Sequence, residues 1–463
     1  MQLQLKIAGL HHQQLVKHLF SGDGLESVAV ALCGRHRQAG GETLMVHELL
    51  LIPDEECMDR STGRLQWPTE RIMPFFNRIA RTDLAILKIH SHPGGYDRFS
   101  DTDDAADAEF FSSVFGWTDL DGPHASAVMV PGGSLFGRFF YPGGGHRPVD
   151  KIAIISDTIG VEELLTMDGR QAFAQRTIQA FGQKTYNLLN RLTVGVVGCS
   201  GTGSPTVEQL TRLGVKKLVL IDPDRVEHKN LNRILNTSLA DAEMQKPKIA
   251  ALADAVARMG LGTETDCYQV NLYDDLPALQ ALAGCDVIFG CMDSVDGRHL
   301  LNQLCSFYLI PYFDQGVKLE ADGLGGIHKI CGSVHYLQPG KSSLLTRGVY
   351  TTDDMRAAAQ YRQNPEEYAM LQKNAYIKNV NVNSPAVISV NMQISSHAIN
   401  DFLNRLHRYK AEDPSSYSLS TIDLTENCII NVNEEAFETD VYLRNKIGRG
   451  DLVPFIEFPG IPS

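Results

Sequence analysis

The chain has 463 residues, 43% of them apolar, and a formal net charge of −13. That length allows about two to four domains with real hydrophobic cores. The acidic balance argues against nonspecific nucleic-acid binding, no apolar run approaches the roughly 20 residues of a membrane helix, and no charged-then-apolar signal segment opens the sequence.

In chain order, HHQQLVKHLF (residues 11–20) reads as a helix, and SVAVALCGR (27–35) as an apolar strand immediately preceded by Glu26. VHELLL (46–51) is strand-like and places Glu48 inside the strand. A helix-like segment runs from Pro68 to Arg81, and LAILKI (Leu84 to Ile89) reads as a buried strand. Next comes HSHPGGYDRFSDTD, which carries His90, His92, Ser100 and Asp103. Tyr141 to Asp150, rich in glycine and proline, reads as the end of a first domain. A helical region is expected from about Gly160 to Arg191, then alternating strands and helices to about residue 340.

His90, His92 and Asp103 suit zinc. Strand side chains alternate faces, so the two histidines point the same way. The turn at Pro93 and the glycines behind it can bring Asp103 back as a third ligand. A fourth position then stays open for water, the catalytic zinc arrangement rather than the structural one. The string HxHP, then serine, then aspartate resembles the JAMM (JAB/MPN) metalloproteases. The resemblance implies an α/β domain with a mixed sheet and flanking helices, and zinc-dependent hydrolysis after the C-terminal tail of a ubiquitin-like protein. It also implies that Glu26 acts as general base and acid, with Glu48 as its structural rival, and that Ser100 bonds the developing oxyanion.

RLTVGVVGCSGTGSPTVEQLTRLGVKKLVLIDPD (191–224) reads as strand, glycine-rich turn, helix, strand, the first βαβ unit of a Rossmann-like domain. Gly198, Gly201 and Gly203 permit a tight turn and close approach of backbone amides to phosphate, and the following helix offers the positive end of its dipole. Asp222 ends the second strand, where an acidic residue would hold ribose hydroxyls. Ser200 stands where a strict GxGxxG has its second glycine. The continuation, DPDRVEHKNLNRILN, KPK and GCMDSVDGRHLLNQLC, resembles the ThiF/MoeB/HesA adenylyltransferases. The resemblance covers about residues 165–400. It implies that Asp222 binds ribose, that Asn230 and Arg233 contact phosphates, that Lys248 steadies the triphosphate, and that Asp293 holds Mg²⁺ with ATP. Arg176, in RTIQAFG, matches a family arginine that reaches into a partner subunit's site, which implies a homodimer. Arg298 matches too, with a structural ion pair as its alternative.

These resemblances divide the chain into a JAMM domain (1–148), a linker and lead-in helix (149–175) and a ThiF-like domain (176–463). Nine cysteines without any CxxC pair read as reduced, buried thiols of a cytoplasmic protein. The CxxC pairs of many ThiF relatives are missing, so no structural zinc is expected in that domain. Cys331 and Cys428 are the only cysteines near the place of a family thioester residue. Both read as buried structural thiols, so the acyl-adenylate passes directly to a partner's nucleophile. RAAAQYRQNPEEYAMLQKNAY is helix-like, either a crossover over the adenylate or a surface helix, and GRGD (448–451) is a turn.

The combined expectation is a bifunctional fusion that adenylates and cleaves the C-terminus of a ubiquitin-like protein, with a ubiquitin-conjugating-like enzyme as a further partner. The alternative is activation and maturation of a sulfur-carrier protein with a C-terminal glycine, for thiamin, molybdopterin or cysteine synthesis. A degenerate scaffold is the non-enzymatic reading, against which both intact residue sets argue.

Overall fold

The computed structural model describes residues 2–38, 40–117, 121–163, 172–322, 324–363 and 387–454. The chain divides into two units. The first comprises Met1–Thr166 with the short stretches Ser306–Leu309 and Asn445–Val453.

The first unit runs β1 (Gln2–Ala8), α1 (Gly9–Leu19), β2 (Val28–Gln38), β3 (Gly41–Leu51), a ribbon of β4 (Asp59–Arg60) and β5 (Leu65–Gln66), and α2 (Met73–Ile79). It continues with β6 (Ala85–Ser91), α3 (Asp101–Trp117), β7 (His124–Met129), β8 (Leu135–Phe140), β9 (His146–Pro148), β10 (Lys151–Ile155) and β11 (Ile159–Glu163). Nine strands form one mixed sheet in the order β11-β10-β1-β3-β2-β6-β7-β8-β9. The pairs β10/β1, β1/β3 and β6/β7 are parallel.

The apolar run of β2 follows from burial on both faces. Ala29, Ala31 and Cys33 enter a core with Leu15 and Leu19 of α1. Val28, Val30 and Leu32 enter the opposite core with Phe75 and Ile79 of α2 and Phe110 and Val114 of α3. β6 alternates in the same way, and its whole length is buried. The strand expected over Leu84–Ile89 therefore extends through His90 and Ser91.

Two expectations differ from the structure. The helix placed from Gly160 is instead β11, because Ser156 N bonds Thr158 O at 3.0 Å and turns the chain back to pair β11 antiparallel with β10. Helix α4 (Gln175–Leu189) follows later, interrupted at Gly182 with φ +79. The boundary drawn at residue 148 falls within the sheet, since β10 pairs parallel with β1 from Gln4↔Lys151 to Ala8↔Ile155.

After α4 come β12 (Thr193–Val197), α5 (Gly203–Arg212), β13 (Lys217–Ile221), α6 (Leu239–Glu243), α7 (Lys248–Met259), β14 (Glu264–Tyr268), α8 (Leu276–Ala283) and β15 (Val287–Gly290). Then follow α9 (Val295–Phe307), β16 (Tyr312–Ala321), β17 (Ile327–Leu337), α10 (Thr352–Gln363), α11 (Ile388–Leu406), β18 (Leu419–Asp423) and β19 (Cys428–Val432). The sheet order is β14-β13-β12-β15-β16-β17-β18-β19. The first five strands are parallel and the rest antiparallel. The strand order reverses between β12 and β15, and in open α/β sheets ligands bind outside the carboxyl ends at such a reversal. Among the described residues, no helix is long and apolar enough to cross a membrane.

One buried ionic cluster ties β6, α3 and β8 together. Asp107 of α3 is fully buried and accepts from Lys88 Nζ at 2.7 Å and Arg138 Nη2 at 2.7 Å. Burial pushes its carboxyl up, but Lys88 and Arg138 outweigh that and hold it below its ordinary value. Its contribution is therefore complete above the unfolded carboxylate's pH of about 4 and is lost as pH falls through the lower folded value. Asp107→Ala leaves buried Lys88 without its ion pair and Arg138 with Asp104 alone, and should cost about 3–5 kcal/mol, seen as a lowered midpoint for the first unit's transition in thermal unfolding of the full chain.

Candidate metal centre and nucleotide site

The candidate metal centre grows out of the same strand–helix contact. Lys88 and His90 lie two residues apart on β6 and so face the same side, toward α3. Asp107 and Asp103 lie four residues apart on α3, one turn along the same helix face. Lys88 meets Asp107, and His90 Nε2 meets Asp103 Oδ1 at 2.9 Å. His92, just past the strand, places Nε2 at 3.3 Å from Asp103 Oδ2 and 3.2 Å from His90 Nε2. The turn behind it fixes the ring, because His92 Nδ1 bonds Tyr96 O at 2.8 Å.

Asp103 is aimed by a helix cap. Ser100 N and Oγ both donate to Asp103 Oδ2 at 2.7 Å, and Asp103 N donates back to Ser100 Oγ at 3.2 Å. This is a capping box at the start of α3, formed with aspartate in place of the usual glutamate.

The three donor atoms lie within 4.8 Å of one another. Tetrahedral ligands about 2.0–2.2 Å from zinc stand roughly 3.3–3.6 Å apart, so the observed 3.2, 2.9 and 3.3 Å separations fit that geometry after shifts of a few tenths of an ångström. Burial keeps the His90 imidazole below its ordinary pKa, which favours the neutral form a metal ligand needs. Burial also pushes His92 down, but its bonds to Asp103 and Tyr96 O outweigh that and raise it. Burial works against ionised Asp103 as well, yet the two histidines hold its carboxyl far below the ordinary range.

Glu26 is buried beside this group. Burial pushes its carboxyl up to about 7, opposed by His92 and Lys88 and reinforced by Asp103. A carboxyl poised near neutrality can take a proton and give it back. Glu48, its rival, forms an exposed ion pair with Arg78, a structural role.

In the second unit, the glycine turn leaves the carboxyl end of β12. Gly198 has φ +91, and a Cβ there would lie 2.6 Å from Cys291 O, in the loop after β15. A Cβ on Gly203, the first residue of α5, would lie 1.8 Å from Gly198 O. Gly201 lies against the Asn391 amide of α11, 2.6 Å from where its Cβ would stand. Asp222 holds this turn, since its Oδ2 accepts from Cys199 N at 2.7 Å. Burial raises the Asp222 carboxyl, with Lys248 opposing. Lys248 Nζ stands 3.9 Å from Asp222 Oδ1 and 2.7 Å from Asp224 Oδ2.

The glycines, Asp222 and Lys248 are thus gathered at the carboxyl end of the sheet. Other expected residues bond elsewhere. Asn230 is buried and its Oδ1 accepts from Glu227 N at 3.0 Å, capping its own short turn. Arg233 Nη1 donates to Lys229 O at 2.9 Å. Asp293 is exposed in the loop after β15. Arg298 pairs with buried Asp314 at 3.1 Å, which favours its structural alternative. Arg176 is exposed and donates to Gln179 Oε1 at 2.9 Å.

Three residues went unread in the sequence. Asp224 was visible in DPD, two residues after Asp222. Arg60, whose bonds reach the backbone of Glu26, gave no signal. Asn391, buried with its Nδ2 unpartnered among the described residues, gave none either. The cysteines need correction. Five are buried, but Cys57 and Cys291 are intermediate, and Cys267 and Cys428 are exposed. Cys331 is buried as expected, whereas Cys428 lies on β19, an edge strand exposed along most of its length. Most of RAAAQYRQNPEEYAMLQKNAY and the residues after Pro454 lie outside the described residues.

This architecture, a glycine turn at the strand-order reversal of a mainly parallel sheet, is that of the ThiF class. The ThiF family model matches residues 174–438, and the chain belongs to that family. A model of prokaryotic homologs of the JAB domain matches residues 10–131, so a JAB domain is fused to the ThiF domain. Ubiquitin-like modifier-activating enzyme 5 of Drosophila persimilis is 29% identical over 169 residues, 35% of this chain and 42% of that protein. The Bombyx mori enzyme of the same name is 29% identical over 168 residues, 34% of this chain and 40% of that protein. The chain therefore spans about two fifths of the length of the curated relatives it matches. Among solved structures, E. coli MccB with succinimide aligns with TM-score 0.43 and 16% identity, covering 59% of this chain and 74% of that one. PaaA aligns with TM-score 0.41 and 16% identity, covering 59% of this chain and 78% of that one.

Gly203→Ala should force α5 away from the Gly198 carbonyl and cost about 1–3 kcal/mol through overpacking, read as a lower melting temperature of the second unit.

Proposed function

We propose that this chain acts twice on the C-terminal tail of a ubiquitin-like protein. Its ThiF domain adenylates the terminal glycine carboxylate with ATP and Mg²⁺, and its JAB domain hydrolyses the amide bond after that tail with zinc. The observation that carries this reading is the presence in one chain of two site groups: the glycine turn with Asp222 and Lys248, and the His90–His92–Asp103 triangle beside Glu26. Relatives named as ubiquitin-like modifier-activating enzymes support the substrate class.

In adenylation, a carboxylate oxygen bonds the α-phosphorus of ATP, the bond to the bridging oxygen breaks, and pyrophosphate leaves. Two anions must meet, so cations govern the rate. Lys248 and Arg233 offset the phosphate charge, Asn230 contacts phosphate, and Asp222 holds ribose. Asp293 would hold Mg²⁺, which supplies further charge neutralisation when bound. The amides around Gly198, Gly201 and Gly203 approach phosphate closely because no side chain intervenes. Arg176 would reach the site of a second copy in a homodimer.

In hydrolysis, His90, His92 and Asp103 would hold zinc. When bound, zinc supplies a Lewis acid that makes water acidic near neutrality. Glu26 takes the proton from water and returns it to the leaving amine. The Ser100 hydroxyl turns from Asp103 toward the developing oxyanion. The protein works in the cytoplasm and passes its acyl-adenylate to a ubiquitin-conjugating-like partner.

ATP–pyrophosphate exchange dependent on a glycine-ended ubiquitin-like protein tests the first activity. Asp293→Ala should lower it about a hundredfold, and absence of exchange across candidate partners would count for a scaffold. Glu26→Gln should reduce cleavage of a C-terminally extended partner about 10²–10⁴-fold, while the bound zinc, read by metal analysis, and the exchange rate stay unchanged. Joint loss of both activities would show that the sites are not independent. A lysine-linked product supports conjugation, and a thiocarboxylate product supports sulfur transfer.

A further inference from the structure

Glu26 stands outside the main sheet's ladder. β2 begins at Val28, which pairs with His90 of β6. Both backbone polar groups of Glu26 bond instead to the small β4–β5 ribbon. Glu26 N donates to Ser61 O at 3.1 Å, and Arg60 Nε donates to Glu26 O at 2.8 Å. The next residue is held from two sides. Ser27 N donates to Ser91 Oγ at 3.0 Å, and Ser91 N donates to Ser27 O at 3.1 Å, at the residue between His90 and His92. On the other side, Arg60 Nη2 donates to Ser27 Oγ at 2.9 Å, and Ser27 Oγ donates to Asp54 Oδ1 at 2.9 Å.

Arg60 is itself fixed. Its guanidinium pairs with Asp23 at 3.0 Å and Asp54 at 3.2 Å, and its side chain is 12% exposed. The ribbon closes on itself through Met58 N to Gln66 O and Ser61 N to Arg64 O, both 2.8 Å. One planar fork therefore spans the Glu26 carbonyl and the Ser27 hydroxyl, while two carboxylates hold it from behind. A lysine ammonium, a point charge on a flexible stem, does not reproduce that span.

We propose that Arg60 is a positioning residue. It fixes the main chain of Glu26 so that the carboxyl points at the His90–His92–Asp103 group. The inference rests on the hydrolytic reading of that group for its consequence in catalysis, but not for its geometry. Misplacing a catalytic group by about 1 Å can cost on the order of a hundredfold in rate.

The decisive measurement needs no substrate. Crystal structures of the full chain loaded with cobalt are compared for wild type, Arg60→Leu and Arg60→Lys. In Arg60→Leu the Glu26 carboxyl should move by about 1 Å or more, or split between positions, while His90, His92 and Asp103 superpose. Arg60→Lys keeps the charge facing Asp23 and Asp54 but loses the fork. It should also displace Glu26, and it decides the matter if the leucine variant does not fold. An unmoved Glu26 carboxyl in a folded variant overturns the proposal. With zinc-loaded chain and a Gly-Gly-aminocoumarin peptide, kcat should fall about 10–100-fold in both variants while KM changes less than about twofold. A wild type that leaves the peptide uncut counts against the hydrolytic reading, and the structural comparison then still decides the positioning role.

Discussion

The register between β6 and α3 is the constraint on which the first unit depends. Two positions along a strand advance about 6.6–6.8 Å, and one turn of four residues along a helix advances about 6 Å. These repeats nearly match, so Lys88 and His90 can meet Asp107 and Asp103 in succession. The Lys88–Asp107 contact is buried and paid for by Arg138 on the far side. It locks the helix at the depth and rotation that bring Asp103 to the histidines. The His90–His92–Asp103 group is one step of a ladder whose other step is the Lys88–Asp107 ion pair.

The second unit solves a comparable problem through sheet polarity. Parallel strands deliver all their carboxyl ends to one edge, and the reversal between β12 and β15 opens a cleft there. The glycine turn, Asp222 and Lys248 arrive at this edge from β12, β13 and α7. Asp222 bonds the backbone of the turn directly, so the acid end of one strand shapes the loop of its neighbour. Asn230 and Arg233 bond within their own turn.

Much of this was legible in the sequence because it rests on local pattern. Alternation on a buried strand put His90 and His92 on one side, and the glycine spacing after TVGVV marked the turn. The Ser100–Asp103 pair is a capping box that spacing alone could have revealed. What escaped depended on distant contacts or on short turns. β11 looked helical because five residues carry little periodic signal and only the turn at Ser156–Thr158 commits them to a strand. Arg60 gave no sign because it acts on Glu26 from 34 residues away through a backbone carbonyl. The apolar run around Cys428 suggests a core strand, whereas β19 is an edge with Ile429 and Ile430 more than half exposed.

Ser100 answers to two demands at once. Its hydroxyl accepts from the first turn of α3, and it donates to the same carboxylate that faces the histidines. Asparagine caps a helix as well as serine does, yet it brings no hydroxyl, and aspartate would set a second negative charge against Asp103. Threonine alone among the good caps preserves both functions. The position is therefore narrower in chemistry than either role would make it. Replacing Ser100 would combine a loosened helix start with a misaimed Asp103 carboxylate in a single substitution.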